Sequence, residues 1–148
     1  MDATNSSSRT FTQIGIVVKD INRAVQLYES MGFGPFHELP RTIKVTERFL
    51  HGKPTQLKVE IRIAQAGPME IELIQPVEGN SIWQEFLDSK GEGFNHMRCM
   101  VDDLDTEAAR MEEQGFPMVY RSKFASGGGA AYFEASKLGM PYLEMVQW

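Results

Sequence analysis

The sequence predicts an α+β fold in which two tandem βαβββ modules form a curved-sheet cup. Its 148 residues, 42% hydrophobic and 24% charged, have the size and composition of one globular domain. The stretches 13–33 and 96–116 align without a gap and repeat the same order, a strand-like alternation followed by helical spacing. Their identical pairs are Val18 and Val101, Asp20 and Asp103, Glu29 and Glu112, Gly32 and Gly115, and Phe33 and Phe116.

Each module is expected to begin with a strand and a helix. Asp20 and Asp103 can each cap a helix, because an aspartate carboxylate accepts hydrogen bonds from first-turn amides. Gly32 and Gly115 are suited to end these helices. Three further strands are expected in each module, at about 40–50, 56–64 and 69–75 and at about 117–124, 130–135 and 141–147. The predicted division is a disordered N-terminal tail at 1–10, module 1 at about 11–76, a linking helix at about 79–90 and module 2 at about 94–148.

Charge and composition exclude several classes of protein. The formal net charge is −5 and there is no run of Lys and Arg, so nucleic acid and membrane surfaces are not expected partners. The single cysteine, Cys99, excludes an internal disulfide. No stretch approaches the roughly 18 apolar residues of a transmembrane helix, and the Asn/Ser-rich start is not a secretory signal. We therefore expect a cytoplasmic protein.

Alternation along the strands predicts which polar side chains point into the cup. Once apolar residues are assigned to cover the helices, Gln13, Glu72, His96 and Glu144 are left on inward faces, and so is Arg98. The repeat gives Gln13 the position in module 1 that His96 has in module 2. In the same way, it gives Glu72 the position that Glu144 has. Two carboxylates, one imidazole and one amide oxygen can bind a cation and leave room for water or substrate. Solvated strand ends would explain any one of these residues alone, but they explain four repeat-equivalent positions less well.

From about residue 11 to 148 the chain resembles the vicinal-oxygen-chelate superfamily. Within it, the stretches IELIQPVEGNSIWQEFLDSKGEGFNHM and VDDLDTEAARMEEQGF are similar to methylmalonyl-CoA epimerases. The resemblance implies that Gln13, Glu72, His96 and Glu144 bind a divalent metal, although the epimerases have His at the position of Gln13. Gln, Glu, His and Glu in this order match the eukaryotic-type glyoxalase I, a zinc isomerase. The ligands suit zinc, nickel, cobalt, manganese or iron, so they leave the metal and the substrate open.

The resemblance also implies a carboxylate that takes a proton next to a carbonyl while the metal stabilises the enolate. The epimerases place this acid–base glutamate on an inner strand of the first module. Glu60 in LKVEIRI is the best match, because alternation would turn its apolar neighbours outward and Glu60 inward. Glu144 is the alternative base, as resemblance to glyoxalase I would allow if it left the metal during turnover.

Two residues are candidate substrate contacts. Arg98 can pair with a carboxylate or phosphate of the substrate or, alternatively, with an inward glutamate. Gly128 lies in a Gly-rich segment that resembles the epimerase loop whose amides can meet a thioester or phosphate; a plain hairpin turn is the alternative. The expected partner is a small-molecule carbonyl or thioester substrate, and the resemblance implies a homodimer.

These observations favour a metal-dependent isomerase, most like an epimerase acting on an acyl-CoA or related acid. A glyoxalase-I-like lactoylglutathione lyase is the second hypothesis, favoured by the donor set. A non-catalytic small-molecule-binding protein of the bleomycin-resistance type is the third, and the intact donor set argues against it. An extradiol dioxygenase fits less well, since that class needs two His and one carboxylate on iron.

Overall fold

The computed structural model of the chain describes residues 9–148, so residues 1–8 of the predicted tail lie outside the described residues. Nine strands are present in this part of the chain: β1 Phe11–Val17, β2 Val45–Leu50, β3 Lys53–Pro54, β4 Leu57–Ala66, β5 Met69–Gly79, β6 Gly93–Met100, β7 Met118–Phe124, β8 Gly129–Glu134 and β9 Tyr142–Gln147. The helices are α1 Ile21–Ser30, α2 Ile82–Lys90 and α3 Leu104–Glu113, and a 3₁₀ turn, Ser136–Leu138, precedes β9. Within residues 9–148, no helix is long and apolar enough to cross a membrane.

All nine strands form one curled sheet, a half-barrel, in the order β3-β2-β7-β8-β9-β6-β1-β5-β4. The first strands of the two modules, β1 and β6, are neighbours in this sheet and run antiparallel. Each has the last strand of its own module as its parallel neighbour, β5 beside β1 and β9 beside β6. The predicted α+β fold with a concave sheet is therefore confirmed.

The helix caps follow the prediction from the sequence. The Asp20 carboxylate accepts a hydrogen bond from the Arg23 amide, and the Asp103 carboxylate accepts one from the Thr106 amide, each at 3.1 Å. Ser81 caps α2 in the same way, because its hydroxyl accepts from the Gln84 amide at 3.0 Å. These contacts satisfy amides that the first turn of a helix leaves unpaired.

Apolar side chains pack on both sides of the sheet. On the outer face, α1 covers a cluster that includes Leu73, and α3 covers a cluster that includes Cys99 and Phe133. On the inner face, α2 packs against a third cluster that contains Trp83 and Tyr132. The packing confirms the faces predicted for β1, β5, β6 and β9, since their outward residues lie under helices and the alternate residues face the cup.

The two modules differ in the pairing of one strand. In module 2, β7 pairs with β8 and β8 with β9. The corresponding strand of module 1, β2, pairs with β7 of the other module and not with β4. The modules therefore share one continuous sheet, and β4 forms its edge. The predicted strand at about 40–50 is also a shorter strand followed by a hairpin, β2 and β3.

The direction predicted for the side chains of β4 is wrong. Residues directly opposite each other in an antiparallel pair share a face of the sheet. Ile61 lies opposite Ile74, which lines the cup, whereas Glu60 lies opposite Gln75, whose side chain binds the first amide of α1 on the outside. Apolar residues of β4 face inward because the cup wall itself is largely apolar, and the edge position lets polar residues reach solvent on the other face.

Candidate functional site

The four predicted donor residues meet on the inner face of four adjacent strands, β9, β6, β1 and β5. His96 Nε2 lies 3.3 Å from Gln13 Oε1, 3.5 Å from Glu72 Oε1 and 3.7 Å from Glu144 Oε1. Gln13 and His96 are completely buried, and the side chains of Glu72 and Glu144 are each 9% exposed. Glu72 Oε1 has no hydrogen-bond partner among the described residues. The structure thus gathers three oxygen atoms around His96 Nε2.

A glycine makes room for the imidazole. Gly15 lies directly opposite His96 across the β1–β6 pair, and a Cβ atom at this position would lie 1.9 Å from His96 Cε1. Any side chain there would displace the ring. A glycine inside a strand is a known sign of a close approach, so the sequence carries a signal for Gly15 that a search for donor side chains does not find.

Asn95 determines how His96 presents its nitrogen atoms. Asn95 Oδ1 lies 2.9 Å from His96 Nδ1, and Asn95 is completely buried. Because a carbonyl oxygen accepts a hydrogen bond, Nδ1 carries the proton and Nε2 presents a lone pair to the three oxygens. A histidine that ligates a metal is held by the same kind of contact. Asn95 was also missed, since its neighbour His96 carried the motif.

Gln13 is oriented by an ionic chain. Its Nε2 donates to Glu70 Oε1 at 2.6 Å, which turns its Oε1 towards His96. Glu70 Oε1 also lies 3.5 Å from Arg98 Nη2, and Arg98 Nε donates to Thr12 Oγ1 at 3.1 Å. Arg98 thus makes an ion pair with an inward glutamate and also lines the cavity. Its predicted contact with a substrate stays a prediction.

Burial leaves the carboxylates of Glu72 and Glu144 poorly stabilised as anions. Burial, followed by the charge of Glu144, raises the pKa of Glu72 to about 8. Burial raises the pKa of Glu144 to about 7, although a hydrogen bond from Tyr132 opposes the rise. Burial and the charge of Arg98 lower the pKa of His96 to about 3, so the imidazole is neutral at pH 7. A cation placed among these groups would stabilise both carboxylates.

The donor residues lie at the wall of a cavity of about 570 Å³. Glu72 and Glu144 line it directly, and Tyr132 stands over the His96 ring with the ring centroids 5.0 Å apart. Much of the remaining wall is apolar and comes from β4, α2 and β7. Its apolar and aromatic members include Leu57, Val59, Ile61, Ile74, Trp83 and Tyr120. A mostly apolar cavity with a few polar groups at one end is typical of a small-molecule site.

The remaining two predicted site residues lie apart from the donors. Glu60 borders the cavity at the sheet edge, but its carboxylate is 43% exposed and lies 3.9 Å from Arg62 Nη2. Gly128 stands in the turn between β7 and β8, where a Cβ atom would lie 2.0 Å from the Gln147 carbonyl oxygen. Close backbone packing therefore accounts for the glycine, and Gly128 is not part of the cavity wall.

The arrangement has a mixed donor set. Within residues 9–148, no group of three or more His, Cys, Asp or Glu side chains meets the geometry of a metal site. The cluster here consists of two carboxylates, one imidazole and the amide of Gln13.

Comparison with known proteins places the chain in a family. The family model described as the Glyoxalase/Bleomycin resistance protein/Dioxygenase superfamily matches residues 12–133. An uncharacterized protein of Bacillus subtilis strain 168, YqjC, is 28% identical over 109 residues, which are 73% of this chain and 69% of that protein.

Solved structures share the fold. Methylmalonyl-CoA epimerase from Mycobacterium tuberculosis matches with a TM-score of 0.63 at 22% identity, over 93% of this chain and 86% of that one. A variant of Streptomyces coelicolor methylmalonyl-CoA epimerase in complex with 2-nitronate-propionyl-CoA matches with a TM-score of 0.66 at 21% identity, over 95% of this chain and 98% of that one. At such identities the likeness concerns the fold.

Proposed function

Because the chain belongs to the glyoxalase/bleomycin resistance protein/dioxygenase superfamily, we propose that it is a metal-dependent isomerase of the epimerase type. It would move the proton on the carbon next to a carbonyl group, with an acyl-CoA or a related acid as substrate. The observation that carries the proposal is the convergence of Gln13, Glu72, His96 and Glu144 at the end of an apolar cavity. The epimerase fold of the structural neighbours supports it.

The chemistry of the four donor side chains suits a divalent metal. Metal–ligand bonds of about 2.1 Å at tetrahedral or octahedral angles separate neighbouring donors by roughly 3.0–3.4 Å. The three oxygens lie 3.3, 3.5 and 3.7 Å from His96 Nε2, so small side-chain adjustments suffice. The three oxygens all lie near His96 Nε2, and Glu72 Oε1 is a buried acceptor without a donor among the described residues. A cation would satisfy them together.

The chain's own residues have distinct roles in this proposal. Gln13, Glu72, His96 and Glu144 would hold the metal, which supplies a Lewis acid for a substrate carbonyl oxygen. Once released from the metal, Glu144 would be the favoured proton acceptor, because it faces the cavity and receives a hydrogen bond from Tyr132 that orients it. The apolar wall around Trp83 limits the access of water to the reacting carbon.

A glyoxalase-I-like lyase is the second candidate. The specific observation in its favour is the donor set itself, in which Gln13 supplies an amide oxygen at the position where the epimerases have a histidine. The same cavity and the same proton acceptor would serve that reaction, in which a proton moves between two adjacent carbons. The substrate would then be the hemithioacetal of methylglyoxal and glutathione.

The first experiment is metal analysis of the purified protein. We expect about one equivalent of a divalent metal in the wild type, and loss of at least 90% of it in His96→Ala. His37→Ala is the matched control, because His37 is exposed, lies outside the cavity and should leave the metal content unchanged. Absence of metal from the wild type after reconstitution would contradict the proposal and favour a binding protein.

The metal-loaded protein then separates the two reactions. Incorporation of solvent deuterium into methylmalonyl-CoA, followed by mass spectrometry, is the expected result for an epimerase. Formation of lactoylglutathione from the hemithioacetal would support the lyase, and turnover of neither would leave a non-catalytic binder. The predicted homodimer is checked by light scattering on the same sample.

A further inference from the structure

Arg48 lines the cavity but has no role in the proposed chemistry. Three arginines line the cavity, and two of them have carboxylate partners. Arg62 lies 3.5 Å from Glu38 and 3.9 Å from Glu60, and Arg98 lies 3.5 Å from Glu70. Arg48 has no carboxylate within 4.0 Å among residues 9–148.

The pairing of β2 with the other module points Arg48 into the cup. Arg48 lies opposite Ser122 of β7, and both residues line the cavity. Its neighbour Glu47 faces the other side of the sheet, where it lies 3.3 Å from Lys123 Nζ. The direction of Arg48 is thus a consequence of the one strand pairing in which the two modules differ.

Arg48 stands at the end of a row of polar groups that leads to the donor residues. Tyr120 lies opposite Tyr132, and Tyr132 lies opposite Glu144, in successive strand pairs. Burial raises the pKa of the Tyr120 phenol to about 12, and the charge of Arg48 and its hydrogen bond to that phenol oppose the rise. The guanidinium is therefore held by a neutral hydroxyl, which leaves its positive charge uncompensated.

We propose that Arg48 binds a carboxylate of the substrate and so selects acyl compounds that carry a second, anionic group. The inference rests on the proposed function, since it assumes that the reacting carbonyl lies at the Glu144 end of the cavity. An unpaired cation in a largely apolar wall is unfavourable until an anion joins it. The planar guanidinium matches a carboxylate through two parallel hydrogen bonds.

The test compares methylmalonyl-CoA with propionyl-CoA, which has the same thioester and no carboxylate. Equilibrium binding is read from tryptophan fluorescence, because Trp83 and Trp148 are the two tryptophans of the chain and both line the cavity. Arg48→Gln should weaken the binding of methylmalonyl-CoA by about 10- to 100-fold and that of propionyl-CoA by less than about threefold. Arg48→Lys should restore part of the loss.

Lys123→Gln is the matched control. It removes one positive charge from the neighbouring strand but on the opposite face of the sheet, so both affinities should stay unchanged. An equal loss for both ligands in Arg48→Gln would mean that Arg48 binds a phosphate of CoA, and it would overturn the assignment. Wild-type binding of methylmalonyl-CoA no tighter than that of propionyl-CoA would also overturn it.

Failure of the Arg48 proposal can be distinguished from failure of the proposed function. Binding is measured without turnover, whereas the isomerase proposal fails on metal content and deuterium exchange. Arg48-dependent binding without exchange would leave a receptor for anionic acyl compounds. Exchange that is insensitive to Arg48→Gln would keep the isomerase and remove the specificity residue.

Discussion

The two modules contribute chemically different halves of one site. Module 1 supplies Gln13 and Glu72, and module 2 supplies His96 and Glu144, from equivalent strands on either side of the β1–β6 pairing. The residues that orient these donors do not follow the repeat. An ion pair of Glu70 and Arg98 holds Gln13, whereas Asn95 holds His96. The repeat thus determines where the donors stand, and residues outside it determine how they are presented.

The clearest departure from the repeat is a pair of equivalent positions. Gly15 of module 1 corresponds to Arg98 of module 2, and the antiparallel pairing sets Gly15 against His96 and Arg98 against Gln13. Because Gly15 has no side chain, there is space for the His96 ring. On the other side, the long side chain of Arg98 pairs with Glu70, which orients the Gln13 amide. Substitutions at these unequal positions test how far the two halves differ.

The largest effect is expected for Gly15→Ala. The added methyl group would overlap the His96 ring, so we expect loss of more than about 100-fold in metal affinity together with a destabilisation of about 1–3 kcal/mol. Metal competition with a chelating dye and thermal unfolding measure the two effects. Gly91→Ala is the control: it has open space but a φ of +80°, so it should lower stability by about 1 kcal/mol without affecting the metal. Unchanged metal affinity in Gly15→Ala would refute the packing argument.

The second prediction compares metal affinity after substitution of Asn95 in module 2 and of its equivalent, Thr12, in module 1. Asn95→Ala removes the acceptor of the His96 Nδ1 proton and should weaken metal binding by about 10- to 100-fold. Thr12→Val is its repeat-equivalent partner and removes a hydroxyl that accepts from Arg98 Nε and donates to the Arg98 carbonyl oxygen, so we expect a change of less than about threefold. Equal effects on metal affinity would mean that the two halves are supported in the same way.

A smaller effect concerns pH and the carboxylates that the modules bring together. A glutamate whose pKa is raised on folding stabilises the folded protein below its ordinary pKa, and this contribution is lost as the pH rises through the folded value. For Glu72 and Glu144 the loss extends up to about pH 8 and about pH 7, respectively. The lowered pKa of His96 has the opposite sign but acts only below its ordinary value of 6.5.

Metal-free protein should therefore become less stable between pH 6.5 and 8. We expect a slope of about 1 kcal/mol per pH unit, or roughly 3 °C in the midpoint of thermal unfolding. The double substitution Glu72→Gln with Glu144→Gln should abolish the slope, and Glu113→Gln on the exposed end of α3 should not. Added divalent metal should also remove it. A stability that rises over this range would contradict the raised pKa values.

The smallest effect is expected for Glu60→Gln. The register of β4 turns Glu60 away from Glu72, and its carboxylate is half-exposed beside Arg62, so deuterium exchange should fall by less than about threefold. Glu144→Gln, measured in parallel, should lose at least about 100-fold, since it removes the proton acceptor. A large loss in Glu60→Gln would restore Glu60 as the base and contradict the orientation of the edge strand.

The sequence by itself determined the fold class, the repeat, the helix caps and the inward faces of β1, β5, β6 and β9. These features depend on local patterns: strand alternation, capping residues, and helices that must be covered by apolar side chains. The four donor residues could be found in this way because each stands on a strand whose other face packs under a helix, as Leu73 and Cys99 do.

Only the tertiary structure decided which strands pair across the two modules. The assignment of Glu60 was wrong because the apolar residues of β4, although they alternate as expected, face the apolar cup. Alternation alone does not distinguish a strand face that lines an apolar cup from one that lies under a helix. The inward position of Arg48 depends on β2 pairing with β7, a contact between residues far apart in the chain. Side-chain direction is a local property of a strand, but the choice of face is set by what lies on each side of the finished sheet.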